Sequence, residues 1–323
     1  MSITSEKSPG TIDVRPFQVE IPEEMLTDLR RRIAATRWPG RELVEDRSQG
    51  VQLTTSKELA RCWSGEYDWR PCETRLNALP QVLTHIDGLD VHFVHVRLLM
   101  ERLGYTGYVA QGGDQGAAVT DEMGRQAPSG LLGIHMNLLR TALAGAGPLP
   151  TGSDEERAAA DAVTTFRTSG FGYFLPQSTR PQTIGYALLD SPVALAAWML
   201  DHDTDSYYKI TRAFLDGQPA GNLTRDHILD NITLYWLTGS GASAARSYWE
   251  GARPGASTVS LPVAFTTFPD EIFRAPRSWV EQAYPTLTYY HQADRGGHFA
   301  AWEEPQLFAE ELRAAFRFLR EHI

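Results

Sequence analysis

The segment YVAQGGDQGAAV, residues 108–119, constrains the fold of this chain more than any other. An apolar strand runs straight into Gly112-Gly113-Asp114-Gln115-Gly116-Ala117, and a helix is expected to follow. A turn that tight leaves no room for side chains two positions before and two after the corner, which accounts for Gly112 and Gly116. The strained corner pushes the Asp114 side chain out at the carboxyl end of a strand. There it meets a helix N-terminus, whose partial positive charge favours an anion. This is the small-x-nucleophile-x-small pattern of a nucleophile elbow, with Asp where esterases carry Ser. An ordinary Gly-rich strand-to-helix turn reads the same way over these residues alone. A dinucleotide-binding turn is disfavoured, because the third glycine of G-x-G-x-x-G is absent.

Around this corner, extended and helical patterns alternate. VRPFQVE (14–20) reads as a short strand, and a helix follows from Pro22 with Met25 or Leu26, Leu29 and Ile33 as its stripe. Residues 56–80 read as helical, and Asp87-Gly88 sits between two extended runs as a hairpin turn. Residues 117–126 read as a helix; 130–139, 257–269 and 285–294 as strands. Residues 303–323 form an amphipathic helix with Leu307, Phe308, Leu312, Phe316 and Leu319 on one face. Such alternation predicts an α/β fold with a mostly parallel sheet covered on both faces. The helical stretch at about 150–235 is expected to cover one end as a lid. Residues 1–13 are polar and expected to be disordered.

Several functions are disfavoured by composition. The formal net charge of −10 repels nucleic acid and anionic membrane surfaces. Cys62 and Cys72 make neither a disulfide framework nor a zinc signature. There is no apolar run of 18 residues and no signal-peptide h-region near the first Met, so a cytoplasmic protein without membrane or nucleic-acid partners is expected. The sequence leaves the oligomeric state open.

Two further segments carry chemistry. In QADRGGHFAAWEEPQLF, His298 follows a strand and a Gly-Gly turn and precedes the last helix. In VAFTTFPDEIF, a strand ends at Asp270-Glu271, and either acid could orient an imidazole. Asp114, then an acid, then His298 is the nucleophile–acid–base order of α/β-hydrolases.

With PFQVEIPEEMLTDLRRRI, HIDGLDVHFVHVR, QGGD-x-GA, GYFLPQSTRPQTIGYALLDSPVALAAW, NITLYWLTGSGASAARSYWE and RGGHFAAWEEPQLF, the chain resembles the microsomal-type epoxide hydrolase family. The resemblance implies an N-terminal epoxide hydrolase region at 14–97 with a strand meander, and an α/β-hydrolase domain at 98–323. It implies Asp114 as nucleophile, His298 as general base, Glu271 rather than Asp270 as charge relay, and Tyr173 and Tyr248 as proton donors. No cofactor or metal is implied, and the partner is a small-molecule epoxide hydrolysed to a vicinal diol. Where the family usually carries Trp after the nucleophile, this chain has Gln115, whose backbone N–H is still available to an oxyanion. That replacement also weakens a haloalkane dehalogenase reading, which would need halide donors.

The chain departs from the family after Arg97, where a block of the family pattern has no counterpart. Two strands, a helix and the HGWPGS-like loop that supplies the second oxyanion donor have no counterpart before Leu98. A reduced core sheet is therefore expected, with the strand at Tyr108–Gln111 lying beside Val91–Val96 or at a sheet edge. A catalytically impaired binding or scaffold protein is the competing expectation.

Overall fold

The structure is a computed structural model describing residues 14–79, 81–86, 89–92, 105–144, 148–251 and 258–320. The disordered tail expected at 1–13, the turn residues 87 and 88, and the junction at Arg97–Leu98 lie outside the described residues. Strands are β1 (Val14–Pro16), β2 (Val82–Ile86), β3 (Leu89–His92), β4 (Tyr108–Gly112), β5 (Leu131–Met136), β6 (Val263–Thr267) and β7 (Leu287–Gln292). The chain divides into two compact units, Met1–Leu26 with Asp68–Thr106 and Thr27–Tyr67 with Gly107–Ile323.

The smaller unit carries an antiparallel sheet in the order β1-β2-β3. Ile86 pairs with Leu89 in the antiparallel β2–β3 ladder. Asn77 ties the following chain down, accepting from the Val19 amide at 2.7 Å and donating to the Val19 carbonyl at 2.8 Å.

The larger unit has the α/β-hydrolase fold, built on a wholly parallel sheet in the order β4-β5-β6-β7. Parallel neighbours need crossovers, and helices supply them. Asp114–Gln126 links β4 to β5, helices between Arg140 and Glu250 link β5 to β6, and Arg277–Ala283 links β6 to β7. Burial follows position in the sheet. All five residues of β6 are buried, whereas β4 alternates buried and exposed with Val109 and Gln111 outward. A strand covered on both faces reads as a continuous apolar run, and β6 does so in Val263-Ala264-Phe265. Among the described residues β4 stands at one end of this sheet, while the expected neighbour strand Val91–Val96 lies partly outside the described residues.

The last long helix, Pro305–Ala315, sits on this sheet through Phe308 and Ala315. Its buried face also holds Glu311, which the apolar stripe did not include. That carboxylate accepts from Thr266 Oγ1 at 3.1 Å and Tyr289 Oη at 3.0 Å, so its burial is compensated. His135, fully buried on β5, contacts Thr266 Oγ1 at 3.0 Å; burial pushes its pKa down to about 3, so it stays neutral.

The covering helices run from Asp154 to Glu250, further than the 235 expected from sequence. Local signals start them. Ser153 and Glu156 form a reciprocal capping box, and Ser191 Oγ accepts from the Ala194 amide at 3.2 Å. Helix Pro181–Asp190 and helix Gly241–Glu250 approach closely because Gly185 faces Ala242; a Cβ on Gly185 would lie 3.1 Å from the Ala242 Cβ.

Candidate active site

The corner at Asp114 has the geometry its glycines foretold, with one amendment. Asp114 has φ +46°, a left-handed conformation that Asp tolerates better than most residues. A Cβ on Gly112 would come within 2.0 Å of the Gly116 carbonyl oxygen, so no other residue fits there. Gly116 itself is not crowded, since a Cβ built on it meets nothing within 4 Å. The second tight position is Gly113, whose Cβ would lie 2.6 Å from Asn137 Oδ1 at the end of β5. The close approach is set by the neighbouring strand as well as by the turn.

The corner brings Asp114 to His298. His298 Nε2 lies 3.6 Å from Asp114 Oδ2, and on the far side Nδ1 donates to Glu271 Oε1 at 2.5 Å. The Asp114 side chain is 35% accessible, so a small molecule can reach it, while those of His298 and Glu271 are each only 1% accessible. The two supporting loops are stitched by backbone: the Asp270 amide donates to the Gly296 carbonyl at 3.1 Å, and Gly296 takes φ +97°. That pairing aims Glu271 inward. Asp270 turns the other way and meets Lys209 Nζ at 3.0 Å, so the two adjacent acids are separated by direction. Lys209 also bonds Glu303 Oε2 at 2.5 Å.

Electrostatics lock this line in one state. Burial alone would lower the His298 pKa, but the Glu271 and Asp114 carboxylates override it and hold it well above the ordinary value. Burial alone would raise the Asp114 pKa; the His298 ring beside it outweighs that and holds it below the ordinary carboxylate value. Both shifts favour the charged forms, an aspartate anion facing an imidazolium.

Tyr173 and Tyr248 come from separate parts of the helical segment. A π-helical turn at Phe166–Gly170 resets the chain before Tyr173, which is the N-cap of helix Phe174–Thr179. Such turns often occur at functional sites. Tyr248 lies in the last two turns of Gly241–Glu250. The two rings pack edge to face, 6.1 Å between centroids and 88° between planes. Burial raises both phenol pKa values, and the Asp114 charge adds to both, so both phenols stay protonated beside that carboxylate. The structure thus brings together Asp114, His298, Glu271, Tyr173 and Tyr248.

One pair escaped the sequence reading. The His202 ring lies 4.6 Å from that of His298 and 4.7 Å from that of Tyr173. Its Nδ1 is 2.9 Å from Asp203 Oδ2, while Asp203 Oδ1 caps helix Thr204–Leu215 through the Ser206 amide at 2.8 Å. The legible signal was Asp203-x-x-Ser206, a helix start with a histidine directly before it. Among the described residues, Asp114, His202 and His298 also bring three ligand-type atoms within 4.8 Å of one another.

The comparisons with known proteins bear on family and fold. Residues 14–103 match the family described as Epoxide hydrolase N terminus. An epoxide hydrolase-family protein of Stigmatella aurantiaca (strain DW4/3-1) is 41% identical over 387 aligned positions, covering 95% of this chain and 86% of that protein. The chain belongs to the microsomal-type epoxide hydrolase family. Epoxide hydrolase 1 of Sus scrofa is 29% identical, covering 93% of this chain and 88% of its own. The epoxide hydrolase of Aspergillus niger superimposes with a TM-score of 0.76 at 26% identity, covering 95% and 96% of the two chains. Juvenile hormone epoxide hydrolase of Bombyx mori shares the fold, with a TM-score of 0.79, 22% identity and 96% coverage of each chain. The first alignment also measures what this family member lacks. Since 95% of 323 residues is about 307, about 80 of the 387 positions face gaps in this chain.

Proposed function

We propose that this protein hydrolyses a small-molecule epoxide to a vicinal diol through an alkyl ester on Asp114. The observation that carries the reading is the line Asp114–His298–Glu271, with the Tyr173 and Tyr248 phenols near enough to feel the Asp114 charge. A carboxylate can displace the strained C–O bond at an sp³ carbon, which an esterase serine site is not built for. The oxygen released from the ring is basic, and Tyr173 and Tyr248 are the donors that meet it. Alkylation removes the Asp114 charge that held the His298 proton, so that proton can pass to the tyrosinate left by proton donation, and the neutral ring then serves as base for a water. Glu271, bonded to Nδ1, keeps the basic Nε2 turned toward the ester.

The test is a single turnover in H₂¹⁸O with enzyme in excess over a styrene-type epoxide. The first diol released should carry no heavy oxygen, because its new oxygen comes from Asp114, and the label should appear in the Asp114 carboxylate. Heavy oxygen in the first diol would mean direct attack by water and would remove the ester from the mechanism.

The tyrosines give a separate expectation. Tyr173→Phe and Tyr248→Phe should each slow ester formation by about 10²-fold, the loss of one positioned proton donor. The double variant should fall further, and stopped-flow or quenched-flow rates of ester formation report it. Unchanged formation in both single variants would return the pair to ring packing.

A further inference from the structure

Two buried nitrogens in this site have nothing to bond. Nε2 of His298 and Nε2 of His202 are cut off from solvent, and neither has a hydrogen-bond partner among the described residues. In each ring the other nitrogen is committed, His298 Nδ1 to Glu271 at 2.5 Å and His202 Nδ1 to Asp203 at 2.9 Å. A carboxylate only accepts, so both Nδ1 atoms carry protons, and a neutral ring then presents Nε2 as a bare acceptor. Asp203 is fixed in turn by its cap to the Ser206 amide. Burial alone would raise its pKa, but the bonds and charge of His202 and that amide hold it well below the usual range. The rings of His202 and His298 are inclined by only 30°.

We propose that His202, oriented by Asp203, is a second catalytic histidine whose Nε2 holds the hydrolytic water together with His298 and Asp114. This rests on the Asp114-ester reading above. Asp114, His202 and His298 each bring one ligand atom within 4.8 Å of the others, and three such atoms share a point within about 2.8 Å of each, the length of a water hydrogen bond; with Nδ1 of His202 committed to Asp203, its Nε2 is the nitrogen left to face that point. Buried polar atoms lacking protein partners are where ordered water sits. The donors and acceptors balance. In the resting protein the water accepts from the charged His298 ring and donates to Asp114 and to His202. In the ester the water oxygen bonds to the Asp114 carbonyl carbon and one of its protons passes to His298 Nε2. The other proton stays on the attacking oxygen and is held in a hydrogen bond to His202 Nε2, which aims the attacking lone pair. The bond from that carbon to the alkyl oxygen then breaks, and the departing oxygen takes the proton back from His298. The spacing suits water better than zinc. Tetrahedral zinc with nitrogen bonds near 2.0 Å has ligand edges of about 3.3 Å. Asp114 Oδ2 and His298 Nε2 are 3.6 Å apart.

The first arm of the test needs no turnover. A high-resolution crystal structure of the resting wild-type protein should show one water within hydrogen-bond distance of both Nε2 atoms. No water there, or a metal ion or anion in its place, overturns the proposal. The second arm uses His202→Phe, which keeps a ring in the stack and removes Nε2. Quenched-flow mass spectrometry with a styrene-type epoxide should show the ester forming at close to the wild-type rate and decaying about 10²-fold more slowly, the cost of a misplaced reactant. Unchanged decay overturns the proposal. So does equal slowing of formation and decay, which would make His202 a packing residue. Asp203→Asn keeps the helix cap and frees His202 to turn; it should slow decay in the same sense if the Phe variant does not fold. A wild-type protein giving neither ester nor diol would sink the epoxide reading itself, which is a different result from a normal His202→Phe in an active background.

Discussion

The Asp114→Ala protein will form no covalent adduct and will make diol at least about 10⁴-fold more slowly than the wild type. No other described carboxylate is placed to replace it. Glu271 is 1% accessible and held by His298, and Asp203 is held by His202 and the Ser206 amide. The substitution has a structural cost as well. Position 114 sits at φ +46°, where an alanine is less comfortable than an aspartate, a penalty of about 1–2 kcal/mol. Thermal unfolding should therefore be measured beside activity, and Asp114→Asn, whose side chain also tolerates that conformation, serves as the better-folded comparison. Diol production by the folded Ala variant above about one hundredth of the wild-type rate would assign the chemistry to another residue.

The wild-type protein itself should accumulate the ester, with hydrolysis slower by about 10²–10³-fold than a site with two oxyanion donors would give. The two half-reactions place charge at different points. In ester formation, charge grows on the epoxide oxygen, beside Tyr173 and Tyr248. In hydrolysis it grows on the Asp114 carbonyl oxygen. The Gln115 amide, in the first turn of helix Asp114–Gln126, has no helical carbonyl to bond and can meet that oxygen. The donor opposite it would come from the segment that has no counterpart here. Mass spectrometry of the intact protein during steady exposure to a styrene-type epoxide should find most molecules carrying one adduct, mapped to Asp114. Rapid diol turnover with no trapped adduct would refute the stall. Neither adduct nor diol would favour a family member retained for binding.

Much of the site could be read along the chain because its tightest constraints are local. Gly112, Gly113 and Asp114 specify a corner that few other residues can make. Helix starts such as Ser153-x-x-Glu156 and Ser191-Pro192 are written in adjacent residues. The apolar run of β6 and the alternation of β4 follow from how many faces each strand buries. Family motifs extended this to Tyr173 and Tyr248, which no local rule distinguishes from core aromatics. The clash expected at Gly116 was misplaced because the second crowded position is Gly113, and its crowding comes from Asn137 at the end of the next strand, 24 residues later in the sequence.

What the sequence by itself determined was the kind of residue available at each end of the sheet: a nucleophilic carboxylate on a strained turn, a late histidine, an acid between them and a helical insert. Tertiary structure decided which of them meet. Asp270 and Glu271 are equivalent by composition, and only the pairing of Asp270 with Gly296 and Lys209 turns Glu271 toward His298. His202 is a helix-start residue by sequence; stacking against His298 and Tyr173 makes it part of the site. Side-chain direction and nearness across about 100 residues of chain depend on packing between elements, and no pattern of period two or 3.6 encodes that.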